Sequence, residues 1–455
     1  MEVRSPYDGA VVGAVDEHTA ADVDRAVEQS LAALDNGPLP AHRRAEILDA
    51  AARLLHERQE DFARTIAAES AKPIKTARTE AARAVSTFTF AAAAARTLTG
   101  HVVPMDAADV GEGKVAFTLR KPIGVVGGIS PFNFPLNLVA HKVAPAIAAG
   151  CPLVLKPASQ TPLSAVKLAR LLIGDCGLPP EWLHVLPGPA KEVGARIVEH
   201  PDIAMITFTG SGEVGWSIRE QAPRKKVSLE LGNNSPVVIE ADGDWRTAAK
   251  KIATAGFSHA GQSCISTQRV YVHESVVEVF LAELVPAVEA LRVGDPMDDD
   301  TDVSALISAD DAERVATWIE EAEQAGAKVA AGGTRDGNVV APTVLTNVSA
   351  EMKVCRDEVF GPVVAVQSYA EFDEALRLAD DTRYGLQAAV FTSDIDKALR
   401  AADRLHFGGV LVNEVPTFRA DQMPYGGVRA SGNTKEGPAY AIREMTEERL
   451  VVISR

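Results

Sequence analysis

Three short segments carry side chains capable of covalent or proton-transfer chemistry. The first is FSHAGQSCIS, which holds Cys264. A glycine ahead of a thiol permits close backbone approach, and the small Ser263 leaves room beside it. A thiolate there would be a strong nucleophile. The ordinary alternative is a cysteine buried as a small hydrophobe. His259 lies five residues upstream, an awkward helical spacing for a base. The second segment is SPFNFPLN, where Asn133 stands between two prolines that stiffen the chain. Taken alone, such an Asn is a turn residue. The third is Gly210-Ser211-Gly212-Glu213-Val214-Gly215, a G-x-G-x-x-G match between a predicted strand and a predicted helix. Glu230 follows where a dinucleotide fingerprint puts its ribose ligand. By itself this motif gives a dinucleotide fold with Glu230 on the ribose. The competing reading is a plain glycine-rich strand–helix turn.

These residues need a large scaffold. The chain has 455 residues, 46% hydrophobic and 24% charged, enough for two or three domains with substantial cores. Its net charge of −16 disfavours a nucleic-acid or acidic-membrane binder, which needs a basic face. Four cysteines without a CxxC are too few for a disulfide framework and suggest a reducing, cytoplasmic setting. The N-terminus lacks the pattern of a signal peptide, and no apolar run is long enough to cross a membrane. The first 100 residues read as helical, with a long Ala-rich stretch from Ala41 to Thr97 broken at Lys72-Pro73. Val102 to Arg120 reads as a β-hairpin. From IGVVGGI onward, short apolar runs alternate with helical patterns, which predicts parallel sheets with helices on both faces. A second such series runs from Val237 to Val412, and EERLVVISR reads as a terminal strand. The acidic run Asp295 to Asp302 fits no EF-hand spacing and reads as a solvated loop.

Read in order, SPFNFP, LVLKPASQTP, FTGSGEVG, LELGNNSP, GQSCIS, DEVFGPV, YGLQAAVFT and MPYGGVRASG resemble the aldehyde dehydrogenase superfamily over nearly the whole chain. The resemblance implies an α/β fold. A Rossmann-type cofactor domain would span 1–103 and 119–232, an α/β catalytic domain 233–433, and a β oligomerisation arm 104–118 and 434–455. It also implies a homodimer or homotetramer. Cys264 becomes the nucleophile and Glu230 the base that activates water. Asn133 and the Cys264 backbone N–H become oxyanion donors. The turn at Ser211 and Gly212 lies near the pyrophosphate of NAD or NADP. Lys156 meets the adenosine ribose, and Glu358 and Phe360 meet the nicotinamide ribose and ring.

Several positions depart from the common pattern. Ser159 stands where many members have a ribose-binding Glu, so NADP is admitted beside NAD. LELGNN, with Asn233 and Asn234, replaces LELGGK. The segment VNEVPTFRADQMPYGG is similar to the lactaldehyde, phosphonoacetaldehyde and non-phosphorylating glyceraldehyde-3-phosphate dehydrogenase subgroup. There, an Arg at the position of Arg419 holds a substrate anion. Ser263 replaces a second Arg, and Arg83, from the helical region, is a candidate to complete the site. The alternative for Arg419 is a structural ion pair. The expected activity is oxidation of a small polar or anionic aldehyde to its carboxylate through a thiohemiacetal and a thioester. The rival activities are a coenzyme A-acylating enzyme, which typically lacks the carboxylate at Glu230, and a catalytically silent homologue.

Overall fold

The computed structural model describes residues 1–454; Arg455, the last residue of the expected 434–455 arm segment, lies outside the described residues. Three sheets organise the chain. A five-stranded sheet uses Val125–Ile129, Leu153–Lys156, Leu183–Val185, Ile203–Thr209 and Lys226–Glu230, all parallel. Parallel neighbours must be joined by crossovers, and the helices Asn137–Ala149, Leu163–Arg170 and Gly212–Gln221 lie in those connections. A seven-stranded sheet begins at Ser235–Ile239 and ends at Gly409–Val412. It departs from the expected all-parallel series at one edge, where Lys328–Ala331 pairs antiparallel with Thr343–Thr346. The link between those strands holds only the small ribbon Arg335–Asp336 and Val339–Val340, too short for a crossover. The third sheet is an antiparallel arm of Val102–Val103, Lys114–Pro122 and Thr446–Ser454. Its strands reach beyond 104–118 at both ends, because the ladder from Thr446↔Pro122 to Ser454↔Lys114 runs nine residues.

The Ala-rich region forms three helices, Ala41–Glu57, Gln59–Ser70 and Ile74–Thr97. The break before Pro73 passes through Ala71 in the left-handed conformation. Buried Ala77, Ala81, Ala84, Ala91 and Ala92 give the last helix a flat face, against which the other helices pack closely. The acidic run 295–302 closes onto this region, with Asp302 pairing Lys75 and Asp299 pairing Arg78. Among the described residues, no helix is long and apolar enough to cross a membrane.

The helix Asn137–Ala149 is buried on every side. Its first N–H groups therefore need a partner inside the protein. Glu80 supplies it, with Oε1 accepting from Leu136 N at 2.9 Å and Asn137 N at 3.1 Å. The other carboxylate oxygen pairs with Lys72, itself fully buried. Lys72 in turn lies 3.7 Å from the Phe134 ring centroid. One carboxylate thus caps the helix that follows Asn133 and neutralises a buried cation. Glu80→Ala should cost roughly 3–5 kcal/mol, because it strands Lys72 without a counter-charge. Denaturant unfolding checks this, and a loss below about 1 kcal/mol would show that the pair carries no such weight.

Candidate active site

Parallel strands put all their carboxyl ends on one edge of a sheet, where ligands bind in open α/β folds. Here that edge gathers the SPFNFP segment after Ile129, Lys156, the Gly210–Gly212 turn and Glu230. The other wall comes from the Cys264 loop. His259, Ala260 and Gly261 are consecutively left-handed, with φ of 50°, 53° and 69°. Such a run is costly for L-residues, so surrounding contacts must hold it. A Cβ on Gly261 would sit 2.0 Å from the Gly361 carbonyl oxygen, so only glycine fits there. The buried Gln262 side chain accepts from Ile307 N at 2.9 Å and donates to His259 O at 3.2 Å. Asn133 Nδ2 donates to Gln262 O at 2.9 Å. Asn133 is therefore fixed to the loop two residues before the cysteine, with its second N–H left over. The Cys264 backbone N–H donates to no group among the described residues.

Cys264 is partly exposed as a residue, but its thiol is enclosed. Burial pushes the thiol pKa up to about 12, against the opposing pull of Tyr425 and Arg419. Its sulfur lies 2.8 Å from the Tyr425 hydroxyl. His259 plays no part in this contact: its ring packs edge-on against Phe134 at 6.4 Å, with both ring nitrogens buried and unpartnered.

Glu230 ends its strand with both carboxylate oxygens buried and unpartnered. A Cβ on Gly426 would approach Oε1 to 2.7 Å, so the PYGG glycine makes room for the carboxyl. Burial, then the Glu436 charge, raises the Glu230 pKa well above the carboxylate range, while Arg419, Lys142 and Lys435 oppose the rise. Glu436 goes the other way. Its carboxylate accepts from Arg419 Nη2 at 2.8 Å and lies 3.9 Å from Lys142 Nζ. Despite its burial, the Arg419 charge holds its pKa below the usual value. Burial and the neighbouring charge thus push Glu230 up, while Arg419 holds Glu436 down.

The Arg419 side chain is only 5% exposed. Its guanidinium lies 3.8 Å from the Tyr425 ring centroid, and Nη2 is 3.2 Å from His141 Nε2. Its Nε has no partner among the described residues. Arg83 is engaged by Asp421 at 2.8 Å, and His141 Nε2 lies 3.1 Å from the same Asp421 oxygen. The two arginines are thus joined through Asp421 and His141, not converging on open space.

The cofactor-side residues line the same edge. Ser211 caps the helix Gly212–Gln221, accepting weakly from Val214 N at 3.5 Å, and leaves the first N–H groups facing outward. Lys156 Nζ donates to Pro157 O at 3.1 Å, and burial lowers its pKa. Ser159 donates to Gly188 O at 3.2 Å. Glu358 accepts from Asn233 N at 2.9 Å, and burial raises its pKa to about 7. Phe360 packs edge-on to Phe132 at 5.8 Å. A helix N-terminus, a lysine whose acceptors are only Pro157 O and, at 3.5 Å, Ser159 Oγ, and an ionisable Glu358 suit the phosphates and ribose hydroxyls of a nicotinamide dinucleotide. Asn234 donates to the Cys355 and Asp357 carbonyls and accepts from Arg269, so the LELGNN departure ties down the loop that carries Glu358.

Sequence reasoning passed over Tyr425, Lys142, Glu436 and Gln262. The legible signal was His141-Lys142 inside an otherwise apolar helix, which demands a buried counter-charge.

The sequence pattern of the Aldehyde dehydrogenase family matches residues 1–451. The chain is 47% identical over 454 residues to 3-sulfolactaldehyde dehydrogenase from Priestia megaterium, covering 100% of this chain and 95% of the relative. The crystal structure of aldehyde dehydrogenase 21 from Physcomitrella patens, in complex with the reaction product succinate, matches with TM-score 0.96 and 38% identity. That match covers 100% of this chain and 95% of the other. Glyceraldehyde-3-phosphate dehydrogenase GapN from Methanocaldococcus jannaschii, complexed with NADP, matches with TM-score 0.96 and 37% identity, covering 100% and 99%. Over its whole length the chain belongs to the aldehyde dehydrogenase family, and it is an NAD(P)-dependent aldehyde dehydrogenase.

Proposed function

We propose that Cys264, Glu230 and Asn133 carry the family's covalent chemistry on a short anionic 2-hydroxyaldehyde of the 3-sulfolactaldehyde type. The observation behind the catalytic assignment is their convergence. A thiol, an unpartnered carboxyl and an amide with a spare N–H face one buried site. The Cys264 thiolate adds to the aldehyde carbon, and the carbonyl pair moves to oxygen. Asn133 Nδ2 and the Cys264 N–H stabilise that oxyanion; such a donor contributes about 2.7–4 kcal/mol. A nicotinamide dinucleotide held there would supply the hydride acceptor for the aldehyde carbon. The thioester left on Cys264 is then attacked by water, whose proton Glu230 takes. Lys156, Ser159, Ser211, Gly212, Glu358 and Phe360 hold the cofactor. The change of sheet between Glu230 and Ser235 supports a domain limit near residue 232, and the stretch without strands between Val412 and Thr446 contains the one at 434. Exposed Leu450, Val452 and Ile453 on the arm's edge strand favour a homodimer or homotetramer.

The relative at 47% identity supports the substrate class. Arg419 is the candidate anion partner through its unpartnered Nε. A neutral hydroxyaldehyde such as lactaldehyde is the second reading, favoured by the bond between Arg419 and Glu436, which already offsets the cation.

Cys264→Ala should abolish NAD(P)H production yet keep cofactor binding; substantial turnover by the variant would remove Cys264 from the mechanism. Glu230→Gln should give one burst of NAD(P)H and then stall, with the acyl-enzyme visible by protein mass spectrometry. In the unsubstituted enzyme, thioester hydrolysis should fade as pH falls, beginning above the ordinary carboxylate range, because the raised pKa protonates Glu230 early. Purified enzyme should be assayed on 3-sulfolactaldehyde, lactaldehyde, glyceraldehyde 3-phosphate and propanal. The sulfonated substrate should have the highest kcat/KM. Arg419→Ala should raise KM for it about tenfold more than for propanal. Equal losses would make Arg419 an ion-pair residue and bring the neutral substrate forward.

A further inference from the structure

Among the described residues, the Tyr425 hydroxyl is the one side-chain hydrogen-bond partner of the Cys264 sulfur. Tyr425 is 3% exposed, and its oxygen has no hydrogen-bond partner among the described residues except the Cys264 sulfur, at 2.8 Å. A phenylalanine would fill the same volume, so packing does not account for the hydroxyl. A buried hydroxyl with one partner is informative, because leaving it unpaired is costly.

The ring is held in place from two sides. Tyr425 N donates to Glu436 O at 3.2 Å, which fixes the backbone. The Arg419 guanidinium lies over the ring face at 3.8 Å and is anchored by the Glu436 carboxylate. The phenol therefore cannot swing away without breaking a stacked cation. A positive charge over the ring draws electron density from the oxygen and makes the O–H a stronger donor.

We propose that Tyr425 is a catalytic residue whose phenol donates the hydrogen bond that stabilises the Cys264 thiolate, with Arg419 strengthening that donation from the ring face. This rests on the assignment of Cys264 as nucleophile. In the thiol form either atom can donate; in the thiolate form only the phenol can. The thiol proton leaves to water, and the sulfur keeps the electron pair. The sulfur–carbon bond then forms, the carbonyl π pair moves to oxygen, and the phenol keeps its proton throughout. The charged groups facing the sulfur divide clearly. Glu358 and Glu230 oppose a thiolate, whereas Arg419 and the Tyr425 hydroxyl favour it. Removing the hydroxyl therefore removes one of two favourable contacts.

The test is Tyr425→Phe in the full-length enzyme. Cys264 alkylation by iodoacetamide is followed against pH, alongside the pre-steady-state burst of NAD(P)H. The apparent thiol pKa should rise by about one unit or more, and the burst at neutral pH should slow about tenfold. The burst should recover at alkaline pH, with KM for the aldehyde little changed. A merely structural role would alter KM or melting temperature and leave the alkylation profile in place. Replacing Tyr425 by 3-fluorotyrosine, a stronger donor of nearly the same size, should lower the apparent thiol pKa. If the Phe variant does not fold, that protein decides alone. Unmoved alkylation profiles would overturn the proposal. Retained turnover in Cys264→Ala would instead overturn the underlying assignment, so the two failures are distinguishable.

Discussion

The ion pair between Arg419 and Glu436 is the interaction on which the site depends. Both partners are buried, so neither tolerates loss of the other. Arg419 holds the Glu436 carboxyl below its usual range, while burial and the Glu436 charge push the neighbouring Glu230 up. Two enclosed carboxyls raise each other's cost of ionisation, and the guanidinium is bonded to only one of them. The same guanidinium covers the Tyr425 ring, whose hydroxyl reaches the thiol. One cation thus orders the surroundings of both Glu230 and Cys264.

That arrangement needs a stiff surround, and the helix Asn137–Ala149 provides it. It presents His141 and Lys142 from an otherwise apolar, fully enclosed segment. Lys142 is held by the Thr207 and Thr209 hydroxyls at 3.1 and 2.7 Å. Those threonines belong to the central strand Ile203–Thr209, so the five-stranded sheet and the carboxyl pair are mechanically joined. The Glu80 cap at the helix start and the bond from Asn133 to Gln262 complete the linkage from helical region to catalytic loop. Backbone strain at His259 and Ala260 is tolerated because Gln262 and Asn133 hold the following turn.

The glycine-rich motif shows how a local pattern divides its meaning. As a strand–helix turn it forms as expected, with Ser211 as cap and Gly212 opening the helix. Read alone, it also put Glu230 on a ribose. The fold instead turns that side chain toward Glu436, Lys142 and Arg419. A fixed interval along the chain cannot distinguish these outcomes, because the next strand's register decides which way its last residue faces.

Alternation of apolar runs and helical patterns was enough to give the parallel strands, and the eight motif segments were enough to give the family and to single out Cys264, Glu230 and Asn133 as candidates. These are local properties, written in periodicity and in short strings that a single stretch of chain contains. The antiparallel edge strand, the extended arm, and the engagement of Arg419 by Glu436 were not legible that way. Nor was the contact of Tyr425 with Cys264, which are 161 residues apart. An arginine in a substrate-like segment reads the same whether it faces solvent, ligand or a buried carboxylate. Only close packing of distant segments, which removes water and leaves each charge to the partners it can reach, determined which of these it meets.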